Sequence, residues 1–270
     1  MTDKPFRFGL VAGQANGLDD WTRLARKTEA HGFDTLVSPD PLTGLDPFTA
    51  LSAAAAVTTE LHVGTFVAVD KFRDRRLLAW QADSLHRLTG GRFELGLGTG
   101  RPDAGRHLEK LGVEPGTPRE RLDHISETVR YLKTQPDRPK LLLAAGGPRM
   151  LALAGREADA VTVAWSPRAT EDEARDLVGA VREAAGDRDV ELAMNLLAVG
   201  DEPAPWLERY LGTTVQELAA HGSVSVLPGT PRQAADTLLR RRDELGISYV
   251  TINSGHADQF ARVVELLKDR

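Results

Sequence analysis

The chain has 270 residues, 41 % hydrophobic and 27 % charged, which excludes a disordered, collagenous or fibrous protein and leaves length enough for a full core. Its 39 acidic and 34 basic residues give a net charge of −5, which argues against nucleic acid as a partner, since that needs a basic face. With no cysteine, disulfides, thiolate metal sites and a cysteine nucleophile are all excluded.

The pattern alternates strand and helix along the chain. Phe6–Ala12 is a first apolar run. The stretch from Asp19 follows with Trp21, Leu24, Ala25 and Thr28 at helical spacing, ending at Gly32. Phe33–Ser38 reads as the second strand. Asp46-Pro47 caps the alanine-rich helix after it, and Leu61–Val69 is the third strand. A helix over 73–89 ends at Gly90-Gly91, and Phe93–Leu97 is the fourth strand. Thr117 with Glu120 is a capping box for a helix to about Lys133. The fifth strand is Lys140–Ala145, the short helix Pro148–Arg156 follows, and the sixth strand is Ala158–Ala164. Thr170 with Glu173 starts the next helix, and Val190–Val199 is the seventh strand. Helices over 206–220 and 231–245, the latter capped by Thr230 with Gln233, lead to the eighth strand, Ser248–Asn253, and a closing helix over 258–268. Eight such units in one domain spanning residues 1–270 predict an α/β (β/α)8 TIM barrel. The open doubly wound rival needs a dinucleotide turn after its first strand, and AGQANG does not supply one.

In such a barrel, ligands meet the C-terminal ends of the strands. Gly146-Gly147-Pro148 there joins a strand to a helix. Its backbone N–H groups and the helix dipole suit a phosphate, and a plain turn is the other reading. Gly96, Gly98 and Gly100 open no helix, so they suit a flat ligand lying close to the backbone, or a tight turn. Asp40, between two prolines, suits a ligand hydroxyl or ring nitrogen, or caps its own turn. Lys71, Arg73, Arg75 and Arg76 crowd a helix start, where cations are badly placed. That placement points to an anionic ligand, with Arg101 and Arg106 adding to the patch, or else to a solvated helix start. The seven histidines make no metal constellation. His107 and His256 lie in loops on the ligand face and are the acid–base candidates.

Five blocks in order carry a resemblance: GFDTLVSPDPL, DPFTALSAAAAVTTELHVGT, LLAWQADSLHRLTGGRFELGLGTG, LLLAAGGPRMLALAGREADAV and LPGTPRQAADTLLRRRDELGISYVTI. The chain resembles the luciferase-like monooxygenase superfamily, in particular its oxidoreductases that depend on the deazaflavin coenzyme F420. The resemblance implies a tricyclic cofactor, F420 or alternatively FMN, across the barrel mouth. Its phosphate would meet Gly146, Gly147 and Pro148. Asp40 would lie near the ring, and Gly98, Thr99 and Gly100 beside the ribityl and phosphate portion. Phe66-Val67 matches the position of a cis peptide that supports one ring face, and Lys71 and Arg73 would face the anionic oligoglutamate tail of F420.

Three departures qualify the resemblance. An Asp-His pair reads Asp40-Pro41, so that histidine is not available as a base. Arg101 replaces the glutamate of the sugar-phosphate dehydrogenases and joins His107 and His256 as a catalytic candidate. The connection over 134–139 is a shortened form of an insertion that covers the site in many members. The expected activity is hydride transfer to or from a small organic substrate. An FMN-dependent monooxygenase, a non-catalytic flavin-binding homologue and an unrelated phosphate-substrate barrel enzyme are the alternatives. No signal peptide is read in MTDKPFRFGLVAGQ, and the longest small-apolar stretch, Leu51–Val57, is too short to cross a bilayer. A cytoplasmic protein with no metal and no membrane partner is expected. Relatives pair through the helices after strands two and three, which implies a homodimer using the alanine-rich face from Ala50 to Val57, unless that face packs against its own sheet.

Overall fold

Helix starts are set by side chains that accept from first-turn amides. In the computed structural model, which describes residues 4–101 and 104–268, the Asp46 carboxylate accepts from the Thr49 amide at 2.9 Å. Thr117, Thr170 and Thr230 form reciprocal boxes with Glu120, Glu173 and Gln233. Each such cap is worth about 1 kcal/mol. The predicted boxes therefore stand, and Asp74 caps the third helix, which starts at Arg75 rather than Arg73.

The elements run β1 (Arg7–Val11), α1 (Leu18–Ala30), β2 (Thr35–Ser38), α2 (Pro47–Ala55), β3 (His62–Thr65), β4 (Ala68–Val69), α3 (Arg75–Leu88), β5 (Phe93–Gly98) and α4 (Ala104–Lys110). They continue with α5 (Pro118–Lys133), β6 (Lys140–Ala145), α6 (Pro148–Glu157), β7 (Ala160–Val163), α7 (Glu171–Ala185), β8 (Glu191–Leu196) and β9 (Ala198–Val199). The chain closes with α8 (Pro205–Leu211), α9 (Val215–Ala220), β10 (Val226–Leu227), α10 (Pro231–Leu245), β11 (Ile247–Asn253) and α11 (Ala257–Leu267). The nine-stranded sheet is parallel throughout, in the order β3-β2-β1-β11-β8-β7-β6-β5-β4, and β3 also pairs with β5 to close the ring. This is the (β/α)8 barrel that the alternation predicts.

Two predicted strands are interrupted. The run over 61–69 becomes β3 and β4 on either side of a cis Phe66–Val67 peptide bond. The run over 190–199 becomes β8, within the ring, and β9, which leaves it to pair with β10. The predicted helix over 206–220 is two helices. Gly212, at φ 62°, ends α8 in the left-handed region, and Thr214 boxes with Glu217 to start α9. These pieces form a small cap over 197–228 with its own core of Leu207, Val215, Leu218 and Val226.

Strand side chains alternate across the barrel wall. One set, including Leu10, Leu36, Leu95, Leu143 and Ile252, packs under the helices. The other points inward, where Leu142, Ala160, Ala193 and Tyr249 form a central layer. Beneath it the first residues of several strands form a charged floor. Glu191 accepts from Arg7 and Lys140, each at 2.7 Å, and Arg7 also pairs with Glu94 and lies 4.6 Å from the Tyr249 ring centre. The Tyr249 hydroxyl meets the Thr35 hydroxyl at 2.7 Å. Burial alone would raise the Glu94 pKa, but His62, with Nδ1 3.4 Å away, and the charges of Arg7 and Lys140 hold it below the usual carboxylate range. Side chains thus fill the N-terminal end of the barrel, leaving the strand C-termini as the end where a ligand would meet the fold.

Candidate active site at the barrel mouth

The bottom of the mouth is apolar. Phe66 and Val67, half-buried, pack against the Leu142, Ala193 and Tyr249 layer. The strand ends around them supply Thr99 and Gly100 after β5, Ala144 and Gly146 at the end of β6, Trp165 after β7, and Asn195 on β8, all half-buried. Thr251 donates to the Asn195 side chain at 2.9 Å, which fixes that amide at the rim. Gln14, Arg101, Gly147, Ala164 and Asn253 are exposed around the edge.

The β5 glycines serve the protein's own packing. A Cβ on Gly96 would lie 2.0 Å from the Thr65 carbonyl oxygen, and one on Gly98 would lie 2.9 Å from Val67. Gly100 has φ 87° and would meet Ala104 at 2.6 Å. They let the β3–β4 segment, and with it Phe66 and Val67, press against β5.

The two glycines after β6 differ from each other. A Cβ on Gly146 would lie 2.4 Å from the Ala164 carbonyl oxygen, whereas one on Gly147 would meet nothing within 4 Å. Gly147 is thus an open N-cap with Pro148 as the first residue of α6. The first-turn amides of α6 lack intrahelical acceptors, and they suit an anion. Arg149, in that turn, and Arg101, on the neighbouring strand end, are both exposed. The geometry fits a phosphate-bearing ligand whose flat part rests on Phe66 and Val67.

Asp40 and Arg73 are brought together, but into each other. The Asp40 side chain is 2 % exposed and accepts from Arg73 Nη1 at 2.5 Å, Arg73 Nη2 at 3.3 Å and the Val69 amide at 3.2 Å. Arg73 Nη2 also reaches Asp46 at 2.9 Å, and the guanidinium lies 5.2 Å from the Phe48 ring centre. Burial alone would lower the Arg73 pKa, but the two carboxylates raise it. Two of the other cations of this helix start also have protein partners, while Arg76 is exposed. Lys71 donates to the carbonyls of Glu114 and Pro115, and Arg75 pairs with Glu127 at 2.7 Å. The placement that looks unfavourable in sequence is therefore offset by Asp40, Asp46, Asp74 and Glu127, three of them from other elements. That removes the electrostatic reason for placing an anionic ligand on this loop.

The histidine candidates differ in access. His107 lies in α4 rather than in a loop, half-buried, with its ring edge-on to Phe72 at 6.3 Å. His256 is buried, with Nδ1 3.0 Å from Gln259, which in turn bonds Glu202 of the cap. Sequence reasoning missed His124, whose Nδ1 lies 2.5 Å from the buried Asp70 carboxylate. The two are 54 residues apart, and no local signal links them. Among the described residues, no three metal-ligating side chains converge and no helix is long and apolar enough to cross a membrane. Two clefts lie away from the mouth, one beside Arg240 and Arg241 and the other near Lys4 and Asp189.

Comparison with known proteins places this barrel. An uncharacterized protein of Mycobacterium tuberculosis is 29 % identical over 281 residues, which cover 85 % of this chain and 93 % of that one. The fold matches a riboflavin lyase solved with modified FMN and riboflavin, with a TM-score of 0.79 at 15 % identity over 99 % of this chain and 92 % of that one. It also matches the coenzyme F420-dependent tetrahydromethanopterin reductase of Methanopyrus kandleri, with a TM-score of 0.71 at 17 % identity over 98 % of this chain and all of that one. The family model for luciferase-like monooxygenases matches residues 5–245, and the chain belongs to that family.

Proposed function

We propose that this chain is an F420-dependent oxidoreductase that transfers hydride to or from a small organic substrate. The observation that carries the reading is a rim of exposed residues over an apolar bottom, with an unobstructed glycine turn. Only 134–139 separate α5 from β6, and Gly147, Ala164 and Asn253 are exposed at the rim. Flavin-based oxygen activation depends on keeping water away from the reacting centre, whereas hydride transfer needs chiefly that donor and acceptor carbons be held in line. An open rim also leaves room for a long tail to run into solvent.

When bound, the deazaflavin supplies the hydride chemistry. Phe66 and Val67 would support one ring face. Gly146, Gly147 and the α6 amides would hold phosphate, with Gly98, Thr99 and Gly100 alongside. Arg101, exposed at the rim, and the half-buried His107 would serve a substrate, while His256 is enclosed. Two copies would associate as a homodimer in the cytoplasm.

Titration with F420 and with FMN, followed by fluorescence and by mass spectrometry of co-purified ligand, tests the assignment. F420 is expected to bind in the micromolar range and FMN more weakly. Co-purified FMN with no F420 binding would replace the reading with an FMN enzyme, for which oxygen consumption with reduced FMN is the assay. Stoichiometric binding without turnover across a broad substrate panel would leave a cofactor-binding homologue.

A further inference from the structure

We propose that Arg73 is a positioning residue that balances the charge of Asp40 beside the cofactor ring. The inference rests on the reading that a tricyclic cofactor occupies the mouth. Asp40, at 2 % side-chain exposure, is a carboxylate withdrawn from water, and Arg73, at 11 %, is the cation paired with it. A charge buried that far needs a well-placed partner. Arg73 meets this need through two nitrogens, and the Val69 amide adds a third donor. Arg73 is itself held by Asp46 and by the face of Phe48, so it cannot turn toward a ligand without giving up several contacts.

The location gives the pair its consequence. Val69 lies two residues after Val67, which with Phe66 forms the bottom of the mouth. A charge at this edge acts through protein rather than water and is weakly screened. Paired, Asp40 and Arg73 present little net charge to a ring above Phe66 and Val67. Unpaired, Asp40 would set a negative charge beside a ring that gains electron density on reduction.

A purely mechanical clasp would not shift the cofactor's potential with a defined sign, so the midpoint potential of bound cofactor at pH 8 is the deciding measurement. Arg73→Met is expected to lower the potential and weaken cofactor binding about tenfold. Asp40→Asn is expected to raise the potential, and the double variant to return it toward the wild-type value. Arg73→Lys, which keeps the charge, is expected to stay within about threefold of wild-type binding. Should Arg73→Met fail to fold, Asp40→Asn and the double variant carry the same comparison, because an amide at position 40 needs no counter-charge. Removing the guanidinium from that background must then lower the potential. Equal potentials in those pairs would overturn the role of Arg73 while leaving the cofactor reading intact. Wild-type protein that binds neither F420 nor FMN would overturn both, and that result shows at the titration step before any variant is compared.

Discussion

Gly146 and Gly147 are adjacent, yet they answer to different constraints, and that difference gives a test. Gly146→Ala forces a methyl to 2.4 Å from the Ala164 carbonyl oxygen. It should destabilise the fold by about 2 kcal/mol, as overpacking of a fixed backbone does. Gly147→Ala adds a methyl to open space at an extended φ of −90°, so stability should stay within about 0.5 kcal/mol. If phosphate sits on this turn, the same methyl should weaken cofactor binding about tenfold. Thermal melts paired with cofactor titration separate the two effects, and unchanged binding in Gly147→Ala would move the phosphate elsewhere. At this scale the turn itself was legible, because glycines between a strand and a helix with proline first leave few alternatives. The partner of Asp40 was not. Arg73 is 33 residues away, and only the return of the chain past the β3–β4 break, where the Val69 amide donates to Asp40, makes them neighbours. Local charge counting therefore took Arg73 for a ligand residue when its carboxylates were already in the chain.

Between elements, the clearest electrostatic tie joins α7 to α10. Glu171, in the first turn of α7, accepts from Arg240 through two bonds of 2.7 Å and from Arg241 at 2.9 Å. Arg241 is 5 % exposed, and burial lowers its pKa despite the pairing. The Arg240 hydrogen bond, opposed by partial burial and reinforced by Arg241, brings the Glu171 pKa from 4.5 down to about 2. A carboxylate with a depressed folded-state pKa contributes stability that is complete above its unfolded value and is lost as pH falls through the folded one. Glu171→Gln should therefore cost about 1–2 kcal/mol at pH 7, less than a fully buried pair because Arg240 keeps solvent contact. The gap to wild type should close between pH 4.5 and 2. Melting temperature against pH reads this directly, and a gap that persists at pH 2 would assign the loss to packing.

The cap over 197–228 offers a second test at the same scale. Thr214→Ala removes the box with Glu217 and should speed amide exchange in α9 several-fold, at about 1 kcal/mol, without touching the barrel strands. The Thr214-to-Glu217 spacing was present in the sequence. It was overridden because Trp206, Leu207, Leu211, Val215 and Leu218 keep a near-helical period across the break. β10, and the separation of β9 from β8, escaped for another reason. Two-residue strands carry no period of their own, and their pairing depends on the chain leaving the ring after Leu196.

For the whole molecule, the proposed homodimer needs a surface, and the structure changes which one is available. Ala50, Leu51, Ala54 and Ala55, on the alanine-rich face of α2, are buried within the chain, and the Trp21 indole N–H donates to the Ala50 carbonyl at 2.6 Å. Among the described residues, three exposed large apolar side chains share one helix, α3, where Leu77, Trp80 and Leu88 stand at 43, 67 and 82 % exposure. They fall on one stripe with Ser84, opposite the buried Leu78, Ala82 and Leu85. A two-fold axis near Ser84 would bring this stripe against itself, as a closed dimer requires. Each indole would bury up to roughly 200 Å², worth several kcal/mol at about 25 cal/mol per Å² before the cost of association. Trp80→Glu places a charge at the centre of that contact without disturbing the buried face of α3. Sedimentation velocity at micromolar concentration should then show a dimer for the wild type and a monomer of unchanged helicity for the variant. A wild-type monomer, or a dimer indifferent to Trp80→Glu, would exclude α3 as the seam.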